Sequence, residues 1–118
     1  MESIRPLTRG GVYLARLDPA RHVEVGKIRP VIILTAQPIL NTTPEILFIC
    51  PLSSQSYPEF SALHLELAPR DSLLKTSYAL IEHCRSISIK RLSPTRLAQL
   101  MPDEIAVMIS RLKRLLGE

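Results

Sequence analysis

In the stretch Gly26-Lys27-Ile28-Arg29-Pro30-Val31-Ile32-Ile33, a glycine and two cations run directly into a proline-fronted, β-branched segment. Gly26 permits a tight turn, because it carries no Cβ penalty at positive φ. Pro30 fixes its own φ, keeps Arg29 out of the helical region and suits the first residue of a strand. Arg29 is therefore aimed from a strand mouth by backbone constraints on both sides. A guanidinium held this way offers five donors in a fork and a charge that persists at any physiological pH, the requirements of an anion receptor. The same residues also describe an ordinary surface arginine at a strand start, so the chemistry depends on what else the fold brings there.

Other reactive side chains are sparse. Cys50 and Cys84 are too few for a disulfide scaffold, and no CxxC or Cys/His cluster has metal-ligand spacing, so no metal site and no cofactor is expected. Both cysteines sit in apolar runs, where a free thiol acts as a small hydrophobe. His22 falls in a charged loop, His64 in an alternating segment opposite leucines, and His83 beside Glu82.

The elements that must position these groups are mostly strands. Val12, Leu14 and Leu17 alternate with polar or small residues after Gly10-Gly11, and Asp18-Pro19 closes that strand. Residues 20–28 form a charged loop. Residues 30–35 are a near-continuous Val/Ile/Leu run, suited to a strand buried on both faces. Residues 37–44 read as a turn or short loop, and 46–52 as a second buried strand with Pro51 at its end or on an edge. A polar loop, Ser53-Ser54-Gln55-Ser56-Tyr57-Pro58, follows. Leu63, Leu65 and Leu67 alternate with Ala62, His64 and Glu66, which sends His64 to solvent, and residues 78–84 make a fifth strand. The period then changes. Ile105, Met108, Ile109, Leu112, Leu115 and Leu116 form a helical stripe, opened by Pro102-Asp103-Glu104, with basic residues at its far end and Gly117 as a stop. Five short strands and a terminal helix imply a small antiparallel barrel or curled sheet plugged by that helix.

At 118 residues the chain has room for one domain, residues 1–118. No apolar run approaches a membrane span and the first residues lack an apolar leader, so a cytoplasmic chain without membrane contact is expected. The net charge is +4 and its distribution is uneven. Residues 1–30 hold six Lys/Arg against three acids, residues 75–118 eight against four, and the middle only Arg70 against four acids. A basic skew at the two ends suits an electropositive groove assembled from distant segments. Few aromatics are present, so base readout would come from loop hydrogen bonds more than stacking.

The ordered set Arg9-Gly10-Gly11-Val12-Tyr13, Leu17-Asp18-Pro19, Glu24 to Leu34, Cys50-Pro51-Leu52-Ser53-Ser54-Gln55, and Leu74 to Ile87 resembles the MazF/PemK/Kid family, toxins of bacterial toxin–antitoxin pairs. The resemblance implies a mainly β fold with a C-terminal α-helix, a small SH3-like barrel of the CcdB/MazF type. It implies a homodimer, an acidic antitoxin partner, and sequence-specific, metal-independent cleavage of single-stranded RNA by 2′-OH attack. By the same resemblance Arg29, Ser53, Glu82 and His83 are the catalytic candidates. Glu24, Lys27, Ser54, Gln55 and Arg85 are the RNA-binding ones. Ser53 stands where the family usually has a threonine. Gly11 stands where an acid is usual, and Glu82-His83 replaces the usual Asp-Gln. If 78–84 is a strand, Glu82 and His83 point to opposite faces, leaving His83 either a proton shuttle in the groove or a hydrogen-bonded barrel residue. Gyrase-directed toxins of the same fold end in a tryptophan-containing tail, and this chain has no Trp. A family member that binds without cleaving stays an alternative.

Overall fold

The computed structural model describes residues 7–17 and 27–118. Its strands are β1 (Gly11–Arg16), β2 (Ile28–Ile33), β3 (Ile46–Ser53), β4 (Leu65–Leu67), β5 (Ser77–Ala79), β6 (Arg85–Ser88) and β7 (Leu92–Gln99). A single helical turn, α1 (Gln37–Leu40), joins β2 to β3, and α2 (Pro102–Leu115) ends the chain. The strands form one antiparallel sheet in the order β4-β5-β3-β2-β1-β7, with β6 also paired to β3. The expected curled antiparallel sheet with a C-terminal helix is present.

The sheet curls because β3 changes partner along its length. Its first half pairs with β6, from Ile46 opposite Ser88 to Ile49 opposite Arg85. Its last residues pair with β5, Leu52 opposite Ala79 and Ser53 opposite Tyr78. Pro51 lies between these two ladders. It therefore sits inside a central strand, not at the end or edge as expected, because the partner switch leaves a position where no N–H is required.

Two apolar cores result, one on each face. Ile32, Cys50, Leu52, Ala79, Ile81 and Met108 belong to the core under α2, and Val31, Ile33, Leu47, Ile49 and Ile87 to the other. Successive residues of β2 alternate between the cores, which is why its sequence is apolar throughout. β1 shares this arrangement only in part: Val12 and Tyr13 are buried in opposite cores, whereas Leu14, expected inside with Val12, is exposed.

Three sequence expectations change. Residues 78–84 are not one strand: β5 ends at Ala79, a 3₁₀ turn occupies Ile81–His83, and β6 begins at Arg85. The strand around residue 65 is only three residues long, and His64 precedes it in a turn, so alternation does not govern its side chain. His64 is buried. β7 is not among the five strands expected, and its Ser93-Pro94-Thr95-Arg96 stretch has no apolar alternation. It pairs with β1 through two register shifts, and such bulges erase the period-two signal.

Gly10 ties the start of the sheet to its end. Its N–H donates to the Ile33 carbonyl at 2.7 Å and its carbonyl accepts from the Leu100 N–H at 2.9 Å. Its φ is +86°, and an added Cβ would lie 2.5 Å from Ile105 Cδ1. Gly10→Ala is expected to cost roughly 2–4 kcal/mol in urea unfolding, combining left-handed strain with a clash against α2.

Of the helical stripe, Met108 is buried, Ile105 and Leu112 pack against the same core, and Leu115 and Leu116 remain exposed. The helix start is fixed by Glu104, whose carboxylate accepts the Met101 N–H at 2.8 Å and both Arg70 Nη groups at 2.6 and 2.9 Å. Hydrogen bonding from Arg70 holds the Glu104 carboxyl below its ordinary pKa, against a smaller opposing effect of burial. The unfolded chain thus binds the proton more readily than the folded one. This stabilisation is complete above the ordinary carboxyl pKa and is lost as pH falls through the lowered folded value. Urea midpoints measured down an acid series should show the wild type losing about 1–2 kcal/mol that Glu104→Gln, already without it at neutral pH, does not lose.

Candidate functional site

A cleft of about 530 Å³ opens beside the first residues of β2 and the last of β3. Its lining includes Lys27, Arg29, Ser53, Ser54, Ser72 and Lys75. The backbone explains how these groups meet. Ala15 pairs with Arg29 and Leu14 with Pro30, so β1 holds the start of β2 before the β3 ladder begins at Val31 opposite Pro51. Arg29 is half-buried, and its Nη1 donates to the Leu52 carbonyl at 3.4 Å, one residue before Ser53. The Lys27 carbonyl accepts the Leu17 N–H at 2.8 Å, closing the β1–β2 end. Lys27 itself has φ +64°. The left-handed residue among the described ones here is thus a lysine, a conformation that costs a non-glycine residue about 1 kcal/mol or more and that surrounding contacts must enforce. Gly26 and Glu24 lie outside the described residues.

Ser53 is nearly buried, and its Oγ accepts the Gln55 N–H at 3.0 Å. That bond orients the hydroxyl and leaves its proton available for donation into the cleft. Ser54 and Gln55 are exposed on the loop that follows, with the Gln55 Oε1 accepting the Tyr57 hydroxyl at 3.2 Å. Among the described residues, three cations and the Ser53 hydroxyl line one cleft, and none of the lining residues is a carboxylate. Such a site stabilises concentrated negative charge. Lys75 completes it and was not singled out from sequence, because a lysine in the Leu74-Lys75-Thr76 stretch gives no local sign that it faces a strand twenty residues or more away.

Glu82, His83 and Arg85 do not line this cleft. Glu82 sits on the 3₁₀ turn, where both its oxygens lie 2.8 Å from His64 Nε2. A carboxylate only accepts, so the imidazole hydrogen is on Nε2. The His64 ring stacks on Phe60 and meets Tyr57 edge-on, and its carbonyl accepts from Arg111 Nη1 of α2. His64 Nδ1 and Arg85 Nη1 are buried without hydrogen-bond partners among the described residues. His83 is partly exposed, with Nε2 4.0 Å from Glu82 Oε2. The turn therefore puts Glu82 and His83 side by side, not on opposite faces. His22 lies outside the described residues. Among the described residues, no group of His, Cys, Asp and Glu has the arrangement of a metal site, and no helix is long and apolar enough to cross a membrane.

The fold is thus a curled antiparallel sheet with a cation-lined cleft at one strand mouth. The sequence model of the PemK-like, MazF-like toxin of type II toxin-antitoxin systems matches residues 8–116, and the chain belongs to that family. Solved structures share the fold. MazF from Deinococcus radiodurans is 24% identical with a TM-score of 0.77, over 99% of this chain and 100% of that one. The Mycobacterium tuberculosis toxin MazF-mt6 is 16% identical with a TM-score of 0.73, over 91% and 96%. An endoribonuclease in complex with its cognate antitoxin, from a mycobacterial species, is 18% identical with a TM-score of 0.71, over 97% and 96%. No curated protein sequence matches the chain. The departure at Gly11 has a local cause: a Cβ there would lie 2.8 Å from the Tyr13 ring and 3.0 Å from the Thr8 carbonyl, so an acidic side chain has no room without rearrangement.

Proposed function

We propose that this toxin is a metal-independent endoribonuclease acting on single-stranded RNA. The observation that carries the reading is the convergence of Arg29, Lys27, Lys75 and the Ser53 hydroxyl on one cleft. In the reaction the RNA's own 2′-OH attacks the adjacent phosphorus and the 5′-oxygen departs, leaving a 2′,3′-cyclic phosphate and a 5′-OH. Negative charge accumulates on the non-bridging oxygens of the phosphorane. Arg29 stabilises it with its fork of donors, and Ser53 adds one O–H donor. Ser53 acts as a donor because a hydroxyl with a pKa far above neutrality is a poor base. Lys27 and Lys75 hold the flanking phosphates, with Ser54 and Gln55 placed for contact to sugar or base. Glu24, close to Lys27 in sequence, keeps its place as an RNA-contact candidate. Glu82 and His83 take a supporting place in this reading, since His64 engages Glu82 away from the cleft. Arg85, half-buried, has the same standing.

The cleft rim carries Leu14, Ile28 and Leu74, the last two strongly exposed. Apolar residues around a cationic cleft suit coverage by protein, and relatives are solved as MazE–MazF complexes. We accordingly assign the cleft two alternative occupants, RNA and an acidic antitoxin segment that neutralises it on a homodimer. The test is incubation of mixed single-stranded RNA with purified protein in excess EDTA, with fragment ends read by mass spectrometry. Cyclic-phosphate ends are expected. Intact RNA at high protein concentration, with RNA still retained in a binding assay, would establish the non-cleaving alternative.

A further inference from the structure

The mechanism leaves unused the chain's two thiols, and the fold places them together. β3 and β6 pair antiparallel with Phe48 opposite Ser86 and Ile49 opposite Arg85, so the next step of the same register sets Cys50 opposite Cys84. Cys84 packs against the core cluster that contains Cys50, and the Cys50 thiol donates to the Pro51 carbonyl at 3.7 Å. Residues directly opposite in an antiparallel pair have Cα atoms about 4.5–5.5 Å apart, within the span a disulfide bridges. The two sulfurs differ in access: Cys50 has no exposed surface, while Cys84 is half-buried at the end of the Ile81–His83 turn. Burial also pushes the Cys50 thiol well up, with the Cys84 neighbour adding to it, so the more accessible Cys84 is the thiol that meets an oxidant first.

We infer that Cys84 and Cys50 form an oxidative modification site, in which peroxide oxidises Cys84 and Cys50 resolves it as an intramolecular disulfide. The Cys84 thiolate attacks one peroxide oxygen and the O–O bond breaks. Sulfenic acid forms on Cys84, and the departing hydroxide leaves as water after taking a proton. The Cys50 sulfur then attacks the Cys84 sulfur, the S–S bond forms and the sulfenic oxygen leaves as a second water with the Cys50 proton. The cross-link fastens β3 to the end of the turn that carries Glu82, and two-electron reduction by a dithiol reverses it. The Cys84 amide, which donates to the Ile81 carbonyl, reports on that turn.

The test uses the full chain treated with hydrogen peroxide and then digested without reductant. A peptide pair joined through Cys50 and Cys84 is expected, released by dithiothreitol, together with slower hydrogen exchange at Cys84 in the oxidised protein. Native alkylation with iodoacetamide is expected to label Cys84 before Cys50, and prior labelling or Cys84→Ser to abolish the joined peptides. Because Cys50 is a core residue whose replacement can impair folding, the labelling order in the unmutated chain is the independent arm. Cys84 joined to Cys84 of a second copy, Cys84 carried to sulfinic acid with Cys50 free, or both thiols unmodified would each overturn the inference.

Discussion

Arg29→Ala is expected to reduce RNA cleavage by on the order of 10²–10³-fold while the protein remains folded. The size follows from what the guanidinium replaces: two aligned donors and a full charge at the one place where the phosphorane gathers charge. Folding should survive because the ladder from Val12 opposite Ile32 to Arg16 opposite Ile28 is made by backbone, and Pro30 still directs the strand entry. Arg29→Lys restores the charge without the fork, so its rate should fall between the two. Lys75→Gln has a different expected signature. Losing one phosphate contact weakens RNA binding across sequences and lowers the slope of log K against log salt by about one, with little change in the rate at saturation. Single-turnover cleavage and salt-dependent binding on the three variants separate these roles. A fully active Arg29→Ala protein would sink the assignment of the cleft.

The parts of this architecture legible in the sequence are those where one period holds over a whole element. Residues 31–33 are apolar because both faces of β2 are buried, and the helical stripe at 105–112 is amphipathic because one side of α2 meets the core. Legibility ends where tertiary context replaces period. In β7, the bulges and Pro94 mask a strand behind a turn-like sequence. Within 78–84, the apolar run Tyr78 to Ile81 crosses the change from strand to 3₁₀ turn without a break, because the turn still buries Ile81. The site divides in the same way. Arg29 is visible because flanking residues constrain it locally, and Ser53 because it opens a polar loop. Lys75 joins them only through the fold. The pairing of His64 with Glu82 spans eighteen residues and reverses the local reading of His64, for which alternation with leucines implied solvent.

Glu82→Ala is expected to destabilise the protein by about 2–3 kcal/mol, whereas Glu82→Gln costs less than about 1 kcal/mol and leaves cleavage intact. Alanine leaves His64 Nε2–H without its acceptor on a ring whose Nδ1 already has no partner among the described residues, with the ring packed against Phe60 and Tyr57. A second lost partner on a buried imidazole has no compensation nearby, so the turn at 81–83, the loop at 57–64 and α2 through Arg111 should loosen together. Glutamine offers the same carbonyl-type oxygen to the same N–H and preserves the shape of the pair. Stability and chemistry are thereby separated at one position. If the carboxylate moves a proton in the reaction, the glutamine variant would be fully folded and inactive, and Glu82 would return to the catalytic set. If it serves as the acceptor that fixes His64, the glutamine variant cleaves RNA at the wild-type rate, and the alanine variant loses activity only in step with its unfolding in urea. His83→Gln, removing an imidazole that does not line the cleft, should match the wild type in both measurements, because its Nε2 lies 4.0 Å from Glu82 Oε2, beyond hydrogen-bond distance.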